Sequence, residues 1–354
     1  WWPLMLEHYI PRKINTGCWI TSYSLNALRE LPPDTQFVLP IASIGTRYEA
    51  YAELGNWVLP PIFHEALTGS LKQEILERIF RCFPDYADPR DNRSRLKIVE
   101  LPRRDPPTIT RPKVLAFSVD TAVEEHGPHL PLGTDTIQSY GVLEQLRKEN
   151  NPHLLVGHPV DYGQLTWGLP FGFSIDLTAE LLTRYVAQYA NALQRWLNPQ
   201  SMYVVDVHGS IVHRQAIVQG LQDSTVKQWA FRWLHEPLVE FASKRKDQHA
   251  GGVETTLVEF ISEDLLDPEW WPARIMEIAR HQMSLETAVD LTPDLDRFVE
   301  HVNRERFNGI VGDIENYHSL DAADLFERIL HVARDDVRRL LAGNAKQDAG
   351  ADLW

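Results

Sequence analysis

Apolar and polar positions along this chain change their period, and the changes mark out its elements. Val114-Leu115-Ala116-Phe117-Ser118-Val119 is a short, nearly continuous apolar run, the mark of a strand covered on both faces. Residues 136–148 then read as a helix and 154–158 as a second strand. From Thr178 to Leu197, Leu181, Leu182, Tyr185, Val186, Tyr189, Leu193 and Trp196 recur at helical spacing, and Asn198-Pro199 ends the helix. Met202 to Val207 is a β-branched strand. Strand and helix in alternation predict an α/β fold, a doubly wound, mostly parallel sheet flanked by helices. In such folds ligands gather beyond the carboxyl ends of the strands.

The chain before residue 113 has another texture. Ser70-Leu71-Lys72-Gln73 reads as a capping box that opens a helix with Leu71, Ile75, Ile79 and Phe83 on one face. Residues 85–107 are polar and proline-rich, unfit for a helix or a central strand, and read as a linker. Three parts are expected: an N-terminal extension over 1–112, a main domain over 113–342 and a tail over 343–354.

Composition narrows the function classes. With 354 residues, 44% of them apolar and 24% charged, the chain has ample core for a soluble globular protein. A formal net charge of -14 argues against a nucleic-acid or anionic-membrane partner, since either needs a basic face. Cys18 and Cys82 are too few and too far apart for a disulfide framework or a thiolate metal site. No apolar run approaches the ~18 residues of a membrane helix, and nothing at the start reads as a signal peptide. A cytoplasmic protein acting on a small-molecule substrate is expected. The chain opens on Trp1-Trp2 rather than on Met, so its natural start is expected upstream.

Candidate chemistry concentrates in residues 123–135. Glu124, Glu125, His126, His129 and Asp135 share a loop shaped by Gly127-Pro128 and by Pro131-Leu132-Gly133. Glu124 and His126, two apart, project to one side of an extended backbone, and the turn residues curl the chain so that Asp135 returns toward them. Mixed oxygen and nitrogen donors of this kind suit Zn²⁺, Mn²⁺ or Fe²⁺, and a carboxylate with two oxygens can bridge a pair of ions. The competing reading is a solvated surface turn. Further on, His208 stands at a strand end, Glu254 near a helix start where it also favours the macrodipole, and His249 after the charged run Lys244-Arg245-Lys246-Asp247. Each has a plainer reading: a histidine satisfied by backbone, a helix-start acid, a surface residue.

The loop resembles the core motif of the creatininase (creatinine amidohydrolase) family, usually Glu-Gln-His-Gly-Pro-His-Leu-Pro-Leu-Gly-Thr-Asp, with Glu125 in place of the Gln. Tyr203-Val204-Val205-Asp206-Val207-His208-Gly209-Ser210 is similar to that family's strand and Asn-Gly-His-Gly-Gly-Asn. His249-Ala250-Gly251-Gly252-Val253-Glu254-Thr255-Thr256 is similar to its His-Ala-Gly-x-x-Glu-Thr-Ser, and Gly309-Ile310-Val311-Gly312-Asp313 to its closing segment. The resemblance runs from about residue 113 to about 341. It implies two divalent ions per chain, one on Glu124, Asp135 and His208, the other on His126, Asp135 and Glu254, with Asp135 bridging. It also implies hydrolysis by an activated water, with His249 passing the proton and Glu125 as second choice. His129 is left between support of the ligands and loop packing, and Trp167 is only a guess for a pocket wall. Closed homo-oligomers are common in the family, so one is expected here. Val38 to Gly45 looks like the strand entering the same loop, so residues 1–112 could hold a decayed repeat, with Gly45 and Arg47 where ligands would stand. Chance likeness of a short apolar strand competes with that.

Departures from the family pattern surround the ligands. Ser210 stands where creatininase proper carries a metal-binding Glu, Gly209-Ser210-Ile211 replaces Gly-Gly-Asn, Thr121-Ala122-Val123 lacks the usual Gly before the metal Glu, and Phe171-Gly172-Phe173-Ser174 replaces Phe-Pro-Gly-Thr. The expected activity is hydrolysis of a small, cyclic or open, amide or formamide C–N bond, with creatinine itself excluded. A lactonase on the same site and a non-catalytic scaffold on this fold are the alternatives.

Overall fold

The computed structural model describes residues 18–19, 37–40, 57–59, 66–81, 112–121, 123–171, 174–261, 274–315, 317–344 and 347–348. Three short strands, β1 (Cys18–Trp19), β2 (Phe37–Pro40) and β3 (Trp57–Leu59), pair in parallel in that order. The strand read at Val38 is therefore present, while Ile41 to Gly45 and Arg47 fall outside the described residues, as do the proline-rich linker, Cys82 and Phe83. Helix α1 (Leu71–Arg81) buries Leu71, Ile75, Leu76 and Ile79. Its cap differs from the predicted box: the Ser70 hydroxyl bonds Glu74 at 2.5 Å, not Gln73, which reaches Glu77 instead. Glu74 also binds Arg184 of the long helix described next, and α1 joins the same apolar core as the main sheet, across the sequence boundary at 112.

That sheet contains β4 (Val114–Ser118), β5 (Leu154–Val156), β6 (Ser201–Asp206), β7 (Trp229–Trp233) and β8 (Gln347–Asp348), all parallel, in the order β5-β4-β6-β7-β8. Every residue of β4 and β6 is buried, which explains why both read as apolar runs. Alternate residues feed two cores, as the two-residue period of a strand demands. Leu115, Phe117, Met202, Val204, Trp229 and Phe231 meet α3 (Ala179–Leu197) and α4 (Ile211–Asp223) on one face. Val114, Ala116, Tyr203, Val205 and Ala230 meet α2 (Thr134–Asn150) and α10 (Ala322–Leu341) on the other. Truncating a fully buried ring such as Phe117 to Ala would cost about 3–5 kcal/mol.

The predicted spans hold within a few residues at each end. Thr178 caps α3 by accepting from the Leu181 amide, and Asn198 ends it in the left-handed conformation. After β7 the chain forms the helices α5 (Val239–Arg245), α6 (Gly252–Ile261), α7 (Ile275–Ala279), α8 (Leu285–Leu291) and α9 (Leu295–Glu305). From β4 the chain steps to β5 on one side and then crosses to β6 on the other. The loops leaving β4 and β6 therefore part at adjacent strand ends, and a doubly wound sheet opens its crevice there.

Candidate metal centre

β4 delivers the loop 119–133, whose Glu124 and His126 hang over the crevice, and α2 opens at once with Asp135 in its first turn. β6 ends two residues before His208, and α6 carries Glu254 in its first turn. The five residues predicted as ligands converge. His126 Nε2 lies 3.2 Å from Asp135 Oδ1 and 3.9 Å from Glu254 Oε2, while His208 Nδ1 lies 3.0 Å from Glu124 Oε2 and 3.6 Å from Asp135 Oδ2. Two groups with ligand-type spacing result, Glu124–Asp135–His208 and His126–Asp135–Glu254, and they share Asp135; a third joins Glu124 and His126 to His249. The solvated-turn reading fails here, because all five side chains are buried or nearly so.

Backbone contacts aim the ligand atoms. His126 Nδ1 lies 3.1 Å from the Glu124 carbonyl, so an N–H donated there aims the buried Nε2 at Asp135, where its proton can give way to an ion. The Thr121 hydroxyl reaches both Glu124 Oε2 and, at 2.6 Å, Asp135 Oδ2. It has one proton for two carboxylates. Asp135 is held well below the usual carboxylate range: burial opposes this, but His126 and His208 outweigh it. Burial alone would push His208 down, yet Glu124 and Asp135 bring it to about 10. Glu254 is pushed up to about 8 by burial, against the His126 attraction, although Ala250 N–H bonds it at 2.6 Å. Three buried carboxylates thus depend on imidazoles for neutralisation, an arrangement in which a divalent cation can replace the ring protons.

His249 stands inside the cluster, not on the surface after the charged run. An antiparallel bridge to Val311 fixes its backbone through bonds of 2.9 Å in both directions. Its Nε2 lies 2.8 Å from the Glu125 carbonyl, leaving Nδ1 3.8 Å from Glu124 Oε1, and its ring sits 4.4 Å from that of His126. Burial and His126 push its pKa down to about 4. Asp247, from the same charged run, turns inward and accepts the Val253 N–H at 2.8 Å, anchoring the start of α6. Glu125 points elsewhere: one oxygen takes the Gly127 N–H, and the other lies so close to Gly309 that a Cβ there would fall 1.6 Å away. His129 settles between its two readings by serving both. Its Nε2–H reaches Thr255 Oγ1 at 2.9 Å, Thr255 donates to Gly251, and the loop is thereby fastened to the turn that bears Glu254. Trp167 packs on Phe298 of α9, ring centroids 5.1 Å apart, in an apolar cluster with Met283 and Val311.

Several contributors were not predicted. Asp120, at the end of β4, accepts Ser139 Oγ–H and Val207 N–H, both at 3.0 Å, and so ties the two strand ends together. Thr121 lies beside two ligands. His213, on α4, is fully buried between β4, β6 and residue 164. The available signal was a polar Ser118-Val119-Asp120-Thr121 ending on an otherwise apolar strand. Ser210 is no ligand: it caps α4 by accepting from His213 N–H and donates to Gln164 Oε1 at 2.9 Å.

The site is thus a parallel α/β sheet with two candidate metal-binding groups at its switch point. Residues 113–334 match the creatinine amidohydrolase (creatininase) family, and the chain belongs to it. Among curated relatives, the mycofactocin precursor peptide peptidase of Mycobacterium ulcerans (strain Agy99) is 27% identical over 158 residues, 41% of this chain and 57% of that one. The protein of the same name from Mycolicibacterium smegmatis (strain ATCC 700084 / mc(2)155) is 26% identical over 147 residues, 40% and 56%. The match thus spans little more than half the length of these relatives. Similar solved structures include a putative creatinine amidohydrolase from Bacteroides fragilis NCTC 9343, with TM-score 0.46, 15% identity, and 69% and 93% of the two chains covered. A structure named "Creatininase Mn" gives TM-score 0.48, 15% identity, and 64% and 91%. No helix among the described residues is long and apolar enough to cross a membrane.

Proposed function

We propose that the protein is a metal-dependent hydrolase that cleaves the C–N bond of a small amide or formamide, cyclic or open, and that creatinine is not its substrate. The observation that carries this reading is Asp135, one buried carboxylate placed between two three-residue donor groups. Glu124, Asp135 and His208 would hold one ion and His126, Asp135 and Glu254 the other, and the donor set suits zinc, manganese or iron. When bound, such a pair supplies a water activated near neutral pH and polarises the carbonyl it attacks.

His249 takes the water's proton and returns it to the leaving nitrogen. Its Nε2–H is committed to the Glu125 carbonyl, so Nδ1 is the nitrogen open to a proton, and burial beside His126 keeps the ring neutral at pH 7. The Glu125 carboxyl, folded against Gly309, is the weaker candidate. Ser210, engaged as a helix cap where creatininase proper has a ligand, supports the exclusion of creatinine. A peptide bond is a second reading, favoured by the name of the mycobacterial relatives. A panel of cyclic amides, N-formyl amines, short peptides and lactones, run with chelator and after metal return, separates these readings. Turnover only on lactones would move the assignment to an ester hydrolase, and turnover insensitive to chelator would end the metal reading. His249→Ala is expected to lower turnover about 10²–10⁴-fold with metal content unchanged. The chain is further proposed to form a homo-oligomer; sedimentation as a single 40.7 kDa species at micromolar concentration would refute this.

A further inference from the structure

His208 lacks the anchor that the other two site histidines have. His126 and His249 each direct one ring nitrogen to a backbone carbonyl, at 3.1 and 2.8 Å, which fixes the ring and leaves the other nitrogen facing the carboxylates. In His208 it is Nδ1 that faces Glu124, and no hydrogen bond among the described residues holds the buried Nε2. A ligand ring free to rotate about its last side-chain bond would present its nitrogen to the ion only part of the time. What meets the His208 ring instead is the ring of His213, edge to face, with centroids 5.1 Å apart and planes at 86°.

We infer that His213 is the positioning residue for the Glu124–Asp135–His208 side of the centre, holding the His208 ring by packing where other ligand histidines are held by a hydrogen bond. Its own ring is fully determined. Nε2–H donates to the Val119 carbonyl at 2.9 Å, with Asp206 Oδ1 at 3.4 Å, and Nδ1 accepts the Gln164 N–H at 3.1 Å. One imidazole thereby links the end of β4, the end of β6 and the loop through residue 164, the three segments that meet behind His208. These bonds also fix the tautomer, since a proton on Nδ1 would oppose the Gln164 amide.

Gly163 supplies a second, independent sign of the same fit. A Cβ there would lie 2.4 Å from His213 Cε1, 2.6 Å from His213 Nδ1 and 2.6 Å from Thr121 Cγ2. The loop can close on the ring only without a side chain at 163. Thr121 in turn touches Glu124 and Asp135, so pressure at Gly163 bears on the Glu124–Asp135–His208 group through His213 and Thr121 and reaches the other group only through the shared Asp135.

The inference rests on the two-ion reading, and the test separates the two. The 354-residue chain, loaded with Zn²⁺ alone, is titrated against a competing chelator to give two zinc affinities, with circular dichroism as the control for folding. In His213→Ala, which removes the ring and both of its bonds, one affinity is expected to fall about 10–100-fold while the other stays at the wild-type value. His213→Phe, which puts a ring edge back against His208 without the two bonds, should recover part of the loss. Gly163→Ala, with His213 intact, should weaken the same site more than the other, and it carries the test together with His213→Phe if the Ala variant does not fold. Wild-type protein that binds fewer than two zinc ions overturns the parent reading. Wild-type protein with two ions and folded variants with both affinities unchanged, or with both weakened alike, overturns the role of His213 alone.

Discussion

Replacing Asp135 by Ala should remove both ions at once, and the geometry sets how large the effect is. The Asp135 oxygens face His126 Nε2 at 3.2 Å and His208 Nδ1 at 3.6 Å, so each donor group falls from three members to two when this one carboxylate is lost. An ion present at one hundred times its dissociation constant stabilises the folded state by about 2.7 kcal/mol per site, hence about 5 kcal/mol for two. For a domain of the size matched here, each kcal/mol is worth about 2–4 °C in Tm. Adding zinc to the chelated wild type should therefore raise Tm by roughly 10–20 °C at that excess, His208→Ala should keep about half of the rise, and Asp135→Ala should keep almost none. The assay is a thermal melt with and without zinc, paired with metal counting by mass spectrometry. An Asp135→Ala protein that still holds two ions, or still shows the full rise, would refute the bridging assignment.

Other expectations follow from single side chains. Glu125→Gln puts an uncharged isostere into a buried position where burial pushes the carboxyl up to about 8, so it should raise stability at pH 7 by on the order of 1–3 kcal/mol while sparing most turnover; a denaturant melt showing a loss would count against this. Gly309→Ala adds a Cβ 1.6 Å from Glu125 Oε2 at a φ of +88°, and should cost about 1–3 kcal/mol, with part of the loss restored by Glu125→Ala in the same chain; additive losses would show that the two do not meet. His158 is held down to about 4 by burial, below its unfolded value near 6.5, so the folded state binds fewer protons between those values and stability is lost as pH falls through that window. Relative to His158→Gln, the wild type should lose on the order of 2–3 kcal/mol from pH 7 to pH 4, and a difference that does not change with pH would refute the burial argument.

The order of strands and helices was legible because burial on both faces leaves a direct trace. β4 and β6 had to be apolar along their middles, α3 had to be apolar on one face only, and Asn198-Pro199 could not continue a helix. The candidate ligands were legible through the density of carboxylates and imidazoles in one turn-shaped loop and through the resemblance of three segments to the creatininase motifs. What stayed hidden depends on partners remote in sequence. Nothing near residue 70 shows that Glu74 competes for its cap through Arg184, 110 residues away. Nothing near Glu125 shows that its carboxyl turns onto Gly309, and the closing segment gives no hint that Val311 fixes His249.

His213 marks the limit most clearly. In the sequence it is one more polar residue on a helix after a glycine-serine turn, three positions past the cap at Ser210. Its function is set by Val119, Asp206 and Gln164, which come from three separate connections and meet only because the chain crosses from β5 over β4 to reach β6. The same crossing opens the crevice that the metal centre fills. Candidate ligands are thus written locally, in residue type and spacing. Ligand orientation is written in the topology, through side chains and glycines whose reasons lie some 50 to 90 residues away.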